Sequence, residues 1–145
     1  MLANGATTLW ERWEHLTKGG MNSHNHPIMG SVSSWFYKYL AGIQGDPTAP
    51  GFKRFVIRPH VVPGLDWVRA SYTSMYAVIR SEWRKEKGTF TLKVSVPVNA
   101  SATVHIPDAL GAAITEGGKP VAVARLAGGA RVIELGAGDY ELVAH

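Results

Sequence analysis

The chain contains no cysteine, which excludes disulfides, thiolate metal sites and cysteine nucleophiles and leaves the redox compartment unspecified. It has no run approaching the roughly 20 apolar residues needed to cross a bilayer. No basic stretch followed by an apolar one opens it, so no signal peptide is legible. Charge of one sign is nowhere concentrated either. The net charge is +4, but lysines and arginines are scattered. The densest group, Arg84-Lys85-Glu86-Lys87, is interrupted by Glu86 and precedes Gly88 as a hairpin tip would. Neither nucleic acid nor a membrane is an expected partner. What is present is 145 residues, 46% hydrophobic and 18% charged, a globular composition. That length suits one ordinary domain, or a small domain with part of another.

The pattern changes near residue 45. Before it, apolar residues recur at helical spacing. Thr7 or Thr8 is placed to cap a helix carrying Leu9, Trp13 and Leu16 on one stripe, which Thr17-Lys18-Gly19-Gly20 would end. A polar loop from Met21 to Pro27 follows. A second helix is expected from about Gly30 to Gly42, with Val32, Trp35, Phe36, Tyr39, Leu40 and Ile43 as its apolar set. Its apolar residues occupy more than one side, which predicts burial against several neighbours rather than one.

Residues 46–54 are rich in Pro and Gly and read as a linker. Beyond them, strands are expected over Phe55–Arg58, Trp67–Thr73, Tyr76–Arg84, Thr89–Pro97, Ala102–Ile106, Ala130–Leu135 and Tyr140–Val143. Phe90, Leu92, Val94 and Val96 alternate as a half-buried strand requires. Short strands with turn signals between them predict an antiparallel β-sandwich. The fold class is therefore α+β, with two N-terminal helices followed by the sandwich. The Gly/Ala-rich stretch 108–130 gives no clear pattern.

Side chains suited to chemistry concentrate near the N-terminus, in Trp10-Glu11-Arg12-Trp13-Glu14 and in Asn22-Ser23-His24-Asn25-His26-Pro27. Sugar sites combine aromatic faces, which cover the apolar side of a ring, with amides, imidazoles and carboxylates that bond hydroxyls. This patch has both. On a helix, Glu11 and Glu14 would share a face, where two carboxylates do not flank a scissile bond from opposite sides. From spacing alone they read as helix-terminus or Arg12 partners. His24-x-His26 has no third ligand nearby and Pro27 follows at once, so no metal is expected. His60, His105 and His145 read as strand-end or surface residues.

Several blocks resemble the α-L-rhamnosidases of glycoside hydrolase family 78. They are Gly5-Ala6-Thr7-Thr8-Leu9-Trp10-Glu11-Arg12-Trp13, Met21-Asn22-Ser23-His24-Asn25-His26 with Gly30-Ser31-Val32, and Ala41-Gly42-Ile43. Further blocks are Ala49-Pro50-Gly51-Phe52-Lys53-Arg54-Phe55 with Ile57-Arg58-Pro59, then Ala70-Ser71-Tyr72 and Val96-Pro97-Val98-Asn99. The resemblance implies that residues 1–45 are the last helices of a catalytic (α/α)6 barrel, 46–54 a linker and 55–145 the C-terminal β-sandwich. It implies an inverting glycosidase in which Glu11 matches the general base and His26 matches a sugar-contacting histidine, with Asn25, Trp10 and Trp13 around the pocket. No cofactor is implied.

His24 and Pro27 stand where the family commonly has Phe and Tyr. The family's general acid lies upstream of the matching blocks, and Met1-Leu2-Ala3-Asn4 resembles the interior of its sequences. The chain is accordingly expected to be a C-terminal fragment, inactive alone, of an enzyme acting on rhamnosyl glycosides or polysaccharides. The rival reading is a non-catalytic carbohydrate-binding or structural module that self-associates through its helices, although no cluster of aromatics marks one strand face of the sandwich. A third reading is a non-functional product of gene truncation.

Overall fold

The alternation in Thr89–Val96 is realised as expected: Phe90, Leu92, Val94 and Val96 are buried, and Thr91, Lys93 and Ser95 face away from the core. The computed structural model describes residues 1–16, 18, 23–111 and 113–145. It divides into two compact units, Met1–Trp35 and Phe36–His145.

The second unit carries strands β1 (Ile43–Gly45), β2 (Arg54–Ile57), β3 (Trp67–Thr73), β4 (Val78–Glu86), β5 (Thr89–Val96) and β6 (Ser101–Pro107). They are followed by β7 (Ile114–Glu116), β8 (Lys119–Pro120), β9 (Arg125–Ala127), β10 (Ala130–Leu135) and β11 (Gly138–Ala144). A five-stranded sheet has the order β1-β2-β6-β10-β9, and a six-stranded sheet the order β3-β4-β5-β11-β7-β8. Both contribute to one core. Ile43, Phe55, Ile57, Val104, Ile106 and Ile133 come from the first sheet, and Ile79, Trp83, Phe90, Leu92, Val94 and Leu142 from the second. Burying each such side chain is worth roughly 1.5–3 kcal/mol, so this core is the main source of stability.

The sandwich departs from the antiparallel expectation at one pair. β2 runs parallel to β6, with Arg54 opposite Ser101 and Ile57 opposite Val104. The chain between them forms β3, β4 and β5 of the other sheet, which supplies the long crossover that a parallel pair needs. The expected linker, 46–54, instead joins β1 to β2 within one sheet, where Ile43 pairs with Ile57. Its turn is built on Asp46. The Asp46 carboxylate accepts from the Thr48 hydroxyl (2.7 Å), the Thr48 backbone N–H (2.8 Å) and Arg54 Nε (3.2 Å). The Thr48 bonds foremost hold the Asp46 carboxyl below its ordinary pKa, with the Arg54 charge adding to them.

Lys87-Gly88, Gly117-Gly118 and Gly128-Gly129 form the turns of β4–β5, β7–β8 and β9–β10. Each has positive φ at both residues, the twist that two-residue hairpins favour. The basic cluster before Gly88 is thus a hairpin tip. The stretch 108–130, without clear pattern in the sequence, holds three short strands.

The expected helices are altered. Residues 6–16 are not helical, and the only helical turn before them is Leu2–Asn4. Leu9, Trp13 and Leu16, the supposed buried stripe, are exposed, whereas Trp10 is buried. A helix this short is marginal unless its apolar face is packed, and here backbone pairing with residues 23–26 takes its place. The expected helix end at Thr17, Gly19 and Gly20 lies outside the described residues, as do Met21 and Asn22. Helical structure does occupy the second predicted stretch. It begins as a 3-10 turn, Pro27–Ser31, continues as the α-helical turn Val32–Trp35 and ends as the π turn Phe36–Leu40. The Ala41 N–H donates to the Phe36 carbonyl at 3.0 Å, the wide spacing of a π turn. No helix of the described residues is long and apolar enough to cross a membrane.

Gly42 then redirects the chain into β1 with φ +76. A Cβ there would stand 2.3 Å from the Arg58 carbonyl carbon and from Pro59 N. Gly88 has a similar φ of +84 but open space around it. Gly88→Ala should therefore cost about the 1–2 kcal/mol of left-handed strain. Gly42→Ala should cost clearly more, since backbone must also move. Chemical denaturation of the two variants checks this ordering; equal losses would show that the Arg58–Pro59 backbone yields freely.

Candidate functional site

The first unit is organised by two irregular segments lying antiparallel. Glu11 N–H donates to the Ser23 carbonyl (2.9 Å), and His26 N–H donates to the Leu9 carbonyl (2.7 Å). The Thr8 hydroxyl donates to the His24 carbonyl. Thr8 thus ties two segments together rather than capping a helix. Side chains reinforce the pairing: Ser23 N–H donates to Glu11 Oε2 (2.9 Å), and Asn25 N–H donates to Ser23 Oγ (3.1 Å).

This arrangement brings together Trp10, Glu11, Asn25 and His26, four of the five residues singled out from the sequence. Glu11 is exposed. Its Oε2 is held by Ser23, and no described residue donates to its Oε1. A carboxylate fixed by one oxygen and open at the other is suited to accept a proton or a hydroxyl hydrogen bond. His26 is half-buried, and its Nδ1 is buried without a hydrogen-bond partner among the described residues. Such an atom requires an explanation, and an incoming polar ligand is one. Trp13, the fifth residue, is 77% exposed. Its carbonyl accepts from the Met1 ammonium at 3.4 Å.

Trp10 is only 5% exposed, and imidazoles account for part of its cover. His24 stacks on it, with centroids 4.4 Å apart and planes at 19°; His15 approaches at 5.2 Å and 46°. The Trp10 N–H donates to Met1 Sδ at 3.3 Å. Sequence reasoning had set His24 aside as a departure from an aromatic wall and had not singled out His15. The ring stack shows that an imidazole can fill an aromatic position, which the alternation of His and Asn in the loop did not reveal. Among the described residues no three His, Asp or Glu gather where they would hold a metal ion. Glu14 is exposed and no longer shares a helical face with Glu11.

Comparison with known proteins bears on both units. Residues 42–120 match the model of the bacterial α-L-rhamnosidase C-terminal domain, and residues 1–40 that of the bacterial α-L-rhamnosidase six-hairpin glycosidase domain. An α-L-rhamnosidase of Streptomyces avermitilis is 38% identical over 109 residues, covering 71% of this chain and 10% of that protein. One of Alteromonas sp. strain LOR is 38% identical over 105 residues, 68% of this chain and 11% of that protein. The chain thus spans about a tenth of the length of these relatives. Among solved structures, the α-L-rhamnosidase of Dictyoglumus thermophilum is similar at a TM-score of 0.84 and 36% identity, over 99% of this chain and 16% of the other. The Streptomyces avermitilis enzyme complexed with L-rhamnose is similar at 0.78 and 32%, over 99% and 14%.

Removing the His24 ring tests the stack. His24→Ala should expose Trp10 and red-shift its emission, obtained by subtracting the spectrum of Trp10→Phe in each background. It should also cost about 0.5–1.5 kcal/mol of stability in the first unit. Unchanged emission would mean that His24 does not cover Trp10 in solution.

Proposed function

The chain belongs to the bacterial α-L-rhamnosidases, and from that premise we propose that it supplies the general base and part of the sugar pocket of an inverting enzyme. The enzyme would release terminal α-L-rhamnose from glycosides or polysaccharides. In this reading residues 1–45 close the helical catalytic domain, 46–54 lead out of it and 55–145 form the C-terminal sandwich.

The observation that carries the reading is the Glu11–Ser23 pairing. It fixes one carboxylate oxygen with a backbone N–H and leaves the other unengaged by described residues, beside the segment that carries Asn25 and His26. Glu11 would take a proton from a water that attacks the anomeric carbon from the face opposite the leaving group. In inverting enzymes the two carboxyl groups stand about 6.5–9.5 Å apart to admit that water. The partner that protonates the leaving oxygen has no counterpart among the matching blocks, so this chain alone is inactive. The unpartnered Nδ1 of His26 suits a rhamnose hydroxyl, with Asn25 beside it and the Trp10 and Trp13 rings near the pocket. The reading requires no metal or cofactor.

A second reading rests on a different observation. Phe36, Tyr37 and Tyr39 of the second unit are each between 42% and 49% exposed, a large aromatic area for so short a stretch. Isolated chains would cover it by self-association. Sedimentation at micromolar concentration should then show a dimer or larger, dissociated by Phe36→Glu; a clean monomer contradicts it.

The catalytic reading is tested in a polypeptide that joins this chain to the rest of a helical domain. Glu11→Gln should keep substrate binding but lower turnover of an aryl α-L-rhamnoside by roughly 10²–10⁴-fold, the usual worth of general-base catalysis. A loss below tenfold would make Glu11 a structural carboxylate. The isolated chain should not turn the same substrate over; activity above its own Glu11→Ala control would point to a second acid within it.

A further inference from the structure

The outward face of the six-stranded sheet is a polar surface with one large ring at its corner. Strand register orders its side chains in rows. Arg69, Glu82, Lys93 and Glu141 lie opposite one another across β3, β4, β5 and β11. Trp67, Arg84 and Thr91 form the adjoining row. The charges alternate and pair, Arg69 Nε with Glu82 Oε2 at 3.2 Å and Lys93 Nζ with Glu141 Oε2 at 3.4 Å. Together with Trp67 these residues line a depression of about 520 Å³. Trp67 sits on β3, an edge strand, and is 60% exposed.

The chemistry of this face narrows what it can hold. An anionic ligand would meet the carboxylates of Glu82 and Glu141, and a cationic one the side chains of Arg69, Arg84 and Lys93. A wholly apolar ligand would strip water from two ion pairs without replacing their hydrogen bonds. A neutral ligand with one apolar face and a rim of hydroxyls satisfies every element: the indole covers the apolar face, while the guanidinium, ammonium and carboxylates bond the rim. The row crosses four strands, roughly 14 Å at the usual strand spacing, which accommodates a short oligosaccharide.

We propose that this face is a non-catalytic saccharide-binding site, in which Trp67 stacks on a neutral pyranose ring and Arg69, Glu82, Lys93 and Glu141 bond its hydroxyls. The site lies wholly within the second unit, and it does not depend on the role assigned to Glu11.

The test titrates the chain with neutral oligosaccharides of glucose, of xylose and of rhamnose, and with oligogalacturonate as the anionic counterpart, followed by amide chemical shifts and calorimetry. At least one neutral oligosaccharide should bind saturably, shifting amides of β3, β4 and β5. Trp67→Ala should weaken binding more than tenfold, Trp67→Phe should restore most of it, and Glu141→Gln should weaken it severalfold. Amides of residues 8–11 and 23–26 should not shift, which separates this site from the rhamnose pocket. Thermal unfolding verifies that the variants fold; should Trp67→Ala not fold, Glu141→Gln and Lys93→Ala carry the test. Absence of saturable binding by any neutral oligosaccharide, binding by oligogalacturonate alone, or binding indifferent to both Trp67 and Glu141 would overturn the proposal.

Discussion

Two hydrogen bonds, one buried and one part-buried, fasten the helical end of the second unit to its core. The Ser81 hydroxyl donates to the Ala41 carbonyl at 2.6 Å, and Trp83 Nε1 donates to the Leu40 carbonyl at 2.7 Å. Helix C-termini leave carbonyls unsatisfied, and buried ones cost about 1–3 kcal/mol each when unpaired. Here β4 provides the donors, which accounts for a fully buried serine in an otherwise apolar interior. Once these carbonyls are held, Gly42 can turn the chain, and its own carbonyl accepts from Arg58 N–H at 2.9 Å. The edge pair β1–β2, and then the parallel pair β2–β6, follow from that anchored start.

The same constraint explains what the sequence disclosed and what it hid. The alternation of Phe90, Leu92, Val94 and Val96 is local, so β5 was legible without knowledge of its neighbours. The Gly117-Gly118 and Gly128-Gly129 turns lie in the stretch that gave no clear pattern, because β7, β8 and β9 are too short to show a period. Ile43–Gly45 was illegible as a strand because its identity comes from pairing with Ile57 and Phe55 across the Asp46 turn. The parallel pairing of β2 with β6 depends on contacts far apart in the chain, which no local pattern encodes. Leu9, Trp13 and Leu16 had helical spacing, yet spacing states only what a helix would present, not whether anything covers it. The residue that is covered, Trp10, lies off that stripe.

The candidate site was legible as a set of residue types rather than as a geometry. Glu11, Asn25 and His26 were recognisable from the blocks they sit in. Their relation through the Ser23 and Leu9 carbonyls was not, because two irregular segments meet with no periodicity to announce them. Likewise the place of His24 on the Trp10 ring replaces an aromatic contact with an imidazole. This substitution keeps a flat face against the indole. Both observations locate the chemical resources of the first unit in backbone pairing, whereas the second unit draws its rigidity from a packed two-sheet core.

The central claim is that Glu11 activates water rather than attacking the sugar itself. The configuration of the first product distinguishes the two directly, since a water delivered from the opposite face inverts the anomeric centre and a covalent glycosyl-enzyme retains it. Proton NMR of an aryl α-L-rhamnoside, followed from the first minutes of reaction with a polypeptide containing this chain and the remaining helical domain, should show β-L-rhamnose appearing before the α anomer. Appearance of α-L-rhamnose first would contradict the account and make the carboxylate a nucleophile.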